Sequence, residues 1–358
     1  MVRICGSTAP FACRRSRSAP LNAPQQFPFA RQSAGPAPAR RPGSIRRTTS
    51  IDSDWPEGFG QPWEMKGRAR DLLTPARGDP VVLAAGSMVI RTSPIREILE
   101  ISATPDHARL AEMVGVRAGG ASRHALAATL GDMRGTPIFQ LLDDFAGASL
   151  VAGWNWSLWI ENWRERIRGN VQKTSGRKGK MVNICTGFTE GASSLTDDGA
   201  PDHINQSSTE VGPLADRDDP VGWHAMPDQA GRPQARRARR IDIWRAEGVL
   251  KVDAGFQDSG PNPQGRRTAI HEYRVYAEVD EESETLVSLQ ALPLILPYRE
   301  CPGASIKAAR MVGQPVGAFR EAVLDTLAGP LGCTHLNDVL RALADVPVLA
   351  RMLPKGHN

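Results

Sequence analysis

The chain has 358 residues, 41% of them hydrophobic, enough for two or three domains with a sizeable core. No apolar run reaches the roughly 18–20 residues of a membrane helix. The start, Met1–Pro10, leads into Arg14, Arg15 and Arg17 rather than the apolar stretch of a secretory signal, so a cytoplasmic protein with no membrane partner is expected.

The net charge of +5 is unevenly spread. Residues 1–50 hold nine arginines and no acidic residue, which leaves 35 basic against 39 acidic residues in the rest. Residues 1–45, rich in Pro, Ala, Ser and Arg, are expected to be a disordered basic tail, dispensable up to Gly43, because that composition cannot bury a core. Nucleic acid is not expected as a partner, since no aromatic-and-basic surface pattern accompanies the charge.

Residues 46–165 open with Arg46-Arg47, Ile51-Asp52, Trp55 and Glu57-Gly58. Further on come Met113-Val114-Gly115, a helical Ala125–Leu130, and Gly135-Thr136-Pro137-Ile138 before an apolar helical run to Phe145. Trp154, Trp156, Trp159 and Trp163 fit a strand running into a helix and read as core or inter-domain packing, because each indole buries a large apolar area. Residues 166–235 read as a connector. It holds a basic loop over 166–180, a strand end and turn from Cys185, and a linker rich in Asp, Pro, Gly and Ser.

Residues 236–358 repeat the landmarks: Arg239-Arg240, Ile241-Asp242, Trp244, Glu247-Gly248, Met311-Val312-Gly313 and Gly332-Cys333-Thr334-His335. The expected fold class is therefore α+β, with two tandem related units, each a small antiparallel sheet followed by helices. The first copy is degenerate: Thr136 and Ile138 stand where the second has Cys333 and His335.

In the second unit, Leu250–Gln257 alternates as a half-buried strand. Tyr273–Val279 and Leu286–Leu296 read as an antiparallel hairpin about the acidic turn Asp280–Glu284. His271 opens one hairpin strand and Cys301 follows the end of the other, so the two meet at one end of the sheet. A helical stripe runs from Val316 to Leu327. A second starts at Cys333, where a helix N-terminus favours a thiolate. His271, Cys301, Cys333 and His335 thus form a candidate metal site matching zinc's tetrahedral preference. Gaps of 29 and 31 residues separate His271 from Cys301 and Cys301 from Cys333, which is not zinc-finger spacing. A buried Cys333 with surface histidines is the plain alternative.

His271-Glu-Tyr, Cys301-Pro-Gly and Gly332-Cys-Thr-His-Leu resemble a bacterial family known as a domain of unknown function, over 46–350 in its two-copy form. More distantly the second unit resembles NifU/IscU-type iron–sulfur scaffolds and TSCPD domains, with His271, Cys301 and Cys333 at the scaffold's ligand positions. That resemblance implies zinc or iron, or an iron–sulfur group. Three functions follow: a metal-binding domain, a metal-free thiol enzyme with Cys333 as nucleophile, a histidine base and Glu272 or Asp338 orienting it, or an interaction scaffold.

Overall fold

The computed structural model describes residues 31–163, 181–203, 206–229 and 231–354. The expectations for residues 1–30 and for the basic loop over 166–180 lie outside these. The strands are β1 (Ser44–Asp54), β2 (Trp63–Thr74), β3 (Val81–Thr92), β4 (Ile98–Thr104), β5 (Thr209–Val211), β6 (Gln234–Ala246), β7 (Val249–Pro261), β8 (Arg267–Val279) and β9 (Leu286–Ile295). The helices are α1 (Gly120–Leu130), α2 (Pro137–Val151), α3 (Gly303–Lys307), α4 (Phe319–Thr326), α5 (Thr334–Ala342) and α6 (Val346–Met352).

The hairpins follow from local chemistry. Glu247 and Gly248 both take positive φ, 54° and 77°, which is the two-residue turn whose twist matches its flanking strands, and it joins β6 to β7. The hairpin of β8 and β9 is antiparallel as expected, though β8 begins at Arg267, four residues before His271.

Two small sheets were expected; instead the strands form one sheet in the order β4-β3-β2-β1-β6-β7-β8-β5, with β9 beside β5 on the outer edge of β8. The join is β1 against β6, antiparallel from Ser44↔Trp244 to Asp54↔Gln234. Each of these strands would otherwise present an unpaired edge of backbone donors and acceptors.

The tail needs correcting over 31–45. Gln32 N donates to Leu294 O (2.9 Å), Ala34 N to Glu272 Oε1 (2.8 Å), and Arg40 forks onto Asp219, with 2.8 Å between Nη2 and Oδ1. This Pro- and Ala-rich segment has no core of its own and lies as a strap on the sheet face opposite the helices. The connector is likewise packed where described: its own Trp223 and His224 are buried. Trp154 and Trp156 belong to a 3-10 turn over Ala152–Leu158 that continues α2, not to a strand. Their packing role holds. Trp156 meets Trp55 edge-on at 5.7 Å, and Trp159 Nε1 donates to Pro261 O across the halves (2.9 Å).

The halves share part of their element order: four antiparallel strands, a 3-10 turn (Leu110–Met113; Ala308–Met311), a helix (α1; α4), another 3-10 turn, and a helix (α2; α5). The second half adds α3 before its first turn and a 3-10 turn over Val316–Ala318 before α4. Gly115 and Gly313 take φ of 83° and 87° at the same point, and their amides donate to the first residues of β4 and β9, Ile98 O and Leu286 O.

Helices cover one face of the sheet and bury two apolar clusters. One contains Met65, Met88, Leu141 and Phe145; the other contains Val252, Tyr273, Phe319 and Leu340. Between them lies a seam of buried ion pairs. Arg47 forks onto Asp71 (2.6 Å) and reaches Asp345 (2.5 Å); Arg239 forks onto Asp144 (2.6 Å); Arg320 reaches Asp143 and Asp345 (both 2.8 Å). Arg46-Arg47 and Arg239-Arg240 are therefore sheet residues with buried partners, not surface basicity.

Candidate metal centre

Residues 250, 252, 254 and 256 of β7 point to the helix face, and the same parity brings Asp258 there. Its direct neighbours in the sheet are Arg237 on β6 and His271 on β8. Arg237 donates to both carboxylate oxygens of Asp258 (2.8 and 2.9 Å) and, from Nη1, to Asp338 of α5 (2.8 Å). Asp338 also accepts from Arg123 of α1.

His271 is buried, and its ring lies flat on that of His335, with 3.4 Å between centroids and 20° between planes. Atoms of Asp258, His271 and His335 lie within 4.8 Å of one another. His271 Nδ1 is 3.3 Å and His335 Nε2 4.0 Å from Asp258 Oδ2, yet neither nitrogen has a well-formed hydrogen bond among the described residues. On the other side of its ring, His335 Nδ1 is 4.0 Å from Cys333 Sγ. Cys333 is the N-cap of α5.

Burial dominates the titration of every member. It lowers the pKa of His271, and lowers that of His335 well below 6.5 with help from His271 beside it. Both imidazoles are neutral at pH 7, as ligands must be. Burial pushes Asp258 up, but the Arg237 guanidinium and His271 more than offset it, and Asp258 stays ionised. Asp338 is brought down to about 2 against its burial by Arg123 and Arg237. The expected thiolate at Cys333 meets the same conflict. Amides of Leu336 and His335 at the helix start favour it, but burial outweighs them and the thiol pKa is raised. Burial, followed by Cys333, raises Cys301 well above 9.0.

Of the four expected residues, His335 meets both His271, by stacking, and Cys333, at 4.0 Å. Cys301 lies in the turn before α3, buried at the same end of the sheet, with its sulfur against Gly187. Two neighbours escaped the sequence reading. Asp258 had a signal, an acid at an inward position of an alternating strand. Cys185 had none, because its approach depends on how the connector folds back. Neither expected orienting carboxylate serves: Glu272 faces the strap, and Asp338 is held by arginines.

Residues 235–349 match a family model described as a protein of unknown function, DUF2889.

That stretch holds every expected site residue as well as Asp258, whereas the resemblance was expected from residue 46 onward. No curated protein matches the chain, and no solved structure does. Among the described residues no helix is long and apolar enough to cross a membrane.

Proposed function

We propose that the C-terminal half is a metal-binding domain whose site is centred on Cys333 and His335, with Cys301 alongside. One observation carries this: a half-buried His335, whose pKa is lowered, has Nδ1 4.0 Å from a cysteine thiol and Nε2 4.0 Å from a carboxylate. A metal-bound histidine has its second nitrogen oriented by an outer carboxylate, and Asp258 is the carboxylate placed to take that role on a small approach. Asp258 is better suited to this outer role than to ligation, because Arg237 already occupies both its oxygens. The stacking supports the same choice. A ligated ion lies near the plane of its imidazole, and two nearly parallel rings 3.4 Å apart do not share such a plane. His271 then packs against His335 beside Asp258, which Arg237 holds in place. Sulfur and nitrogen donors suit zinc, with iron the alternative.

The test is metal content and affinity of the purified full chain. Retention of about one zinc per chain is expected, with Cys333→Ser weakening affinity by removing a ligand and His271→Gln weakening it by roughly 10–100-fold as an outer-sphere change does. A chain that neither retains nor takes up zinc or iron refutes the proposal.

We also infer that the two halves are tandem copies. The reading is supported by the partly shared element order, the equivalent bonds of Gly115 and Gly313, and the N-cap positions of Thr136 on α2 and Cys333 on α5. A crystal structure in which superposed halves bring Thr136 onto Cys333 supports it; a different strand order contradicts it.

A further inference from the structure

The connector brings a third thiol to the Cys333 end of the sheet. A turn over Thr186–Phe188 is fastened there: Thr186 N donates to Gly332 O (2.8 Å), and its hydroxyl donates to Gly332 O (3.0 Å) and Pro330 O (2.9 Å). Cys185 therefore sits beside the backbone that leads into Cys333. At Gly187 a Cβ would stand 2.5 Å from Cys301 Sγ, so only glycine lets the turn close over that sulfur, and the same point lies 3.9 Å from Cys185 Sγ. A further group points the same way. Tyr273 is fully buried, its hydroxyl has no well-formed hydrogen bond among the described residues, and it faces the Cys333 thiol. That hydroxyl would donate more strongly to a thiolate than to a thiol.

We propose that Cys185 is a ligand of the same ion, making a three-cysteine, one-histidine site of Cys185, Cys301, Cys333 and His335 that takes a thiophilic cation such as zinc. This rests on the metal-binding reading above and adds to it. The added ligand comes from outside residues 235–349, so the connector's fold and the metal depend on each other. Binding draws the sulfurs to about 3.8 Å apart, the edge of a tetrahedron with 2.3 Å bonds, as each thiol gives up its proton to solvent.

The experiment replaces zinc by cobalt(II) in the full chain and reads the thiolate-to-cobalt charge-transfer band. Equal thiolate contributions predict a fall of about one third in band intensity per chain in each of Cys185→Ser, Cys301→Ser and Cys333→Ser. A band unchanged in Cys185→Ser but reduced in Cys333→Ser overturns the role of Cys185 and leaves the metal-binding proposal standing. Cobalt bound without any charge-transfer band overturns the sulfur site. No bound cobalt or zinc overturns both proposals. Alkylation of the wild-type chain gives a check free of folding defects in variants: zinc should protect Cys185, the most exposed of the three thiols. Equal labelling of Cys185 with and without zinc contradicts its ligation.

Discussion

Arg237 shows how much a single side chain organises. It is 3% exposed and balances Asp258 and Asp338 at once. Arg237→Met leaves Asp258 buried without its counter-charge, and removal of one partner from a buried pair costs roughly 3–5 kcal/mol. Chemical denaturation of the variant should show a loss of this size; a loss below about 1 kcal/mol would mean that the seam is not the stabilising unit described.

His224 gives a pH prediction. Its ring lies between Thr48 Oγ1 (2.9 Å) and Ser50 Oγ (2.7 Å). Burial, followed by Arg70, Arg68 and Arg236, lowers its pKa from 6.5 to about 3. Between these values the unfolded chain binds a proton that the folded chain refuses. Its contribution is fully present above pH 6.5 and is lost as pH falls toward 3, at up to about 1.4 kcal/mol per pH unit. His224→Gln should flatten the pH dependence of the thermal midpoint between pH 6.5 and 4. Parallel wild-type and variant curves would contradict this.

Among the elements, α2 lies closest to the seam. Gly147 is in its interior, and a Cβ there would come within 2.0 Å of Arg237 Nη1 and 2.2 Å of Asp338 Oδ2. Alanine in place of glycine ordinarily stabilises a helix by about 0.5–1 kcal/mol. Here it must part a buried ion pair, so Gly147→Ala should destabilise by roughly 1–3 kcal/mol. Gly120→Ala in α1, with nothing within 4 Å, is the control and should be neutral or stabilising. The strap over 31–43 also carries weight. Starting the chain at Ser44 removes the Arg40–Asp219 fork and the Ala34–Glu272 bond, and should lower the midpoint by several degrees rather than leave it unchanged.

Some of this was legible in the sequence, for identifiable reasons. Two-residue alternation placed β7, β8 and β9, and a glycine-flanked cysteine before an apolar stripe placed the start of α5. Those signals are local. The same alternation, continued one step, reaches Asp258. What escaped depends on distance along the chain. The β1–β6 join links residues 180 to 200 apart in sequence, from Asp54 and Gln234 to Ser44 and Trp244. Arginine pairs on a strand look like surface charge until their aspartates arrive from other elements. Cys185 stands in a segment whose composition describes only a loop.

At the scale of the whole molecule, the halves are bound by a shared sheet and a shared seam. Full-length protein should therefore unfold in one cooperative transition. Residues 231–354 alone would expose β6 as an edge and lose Asp143 and Asp144 as partners of Arg320, Arg341 and Arg239, so that fragment should be far less stable or associate. Two well-separated transitions in the full chain would show that the halves are independent.

The central claim is that sulfur and nitrogen side chains of the C-terminal half hold a metal ion. The most direct measurement is zinc X-ray absorption on the zinc-loaded full chain. The account predicts a first shell of sulfur at about 2.3 Å with nitrogen at about 2.0–2.1 Å. A shell of oxygen and nitrogen without sulfur would contradict it.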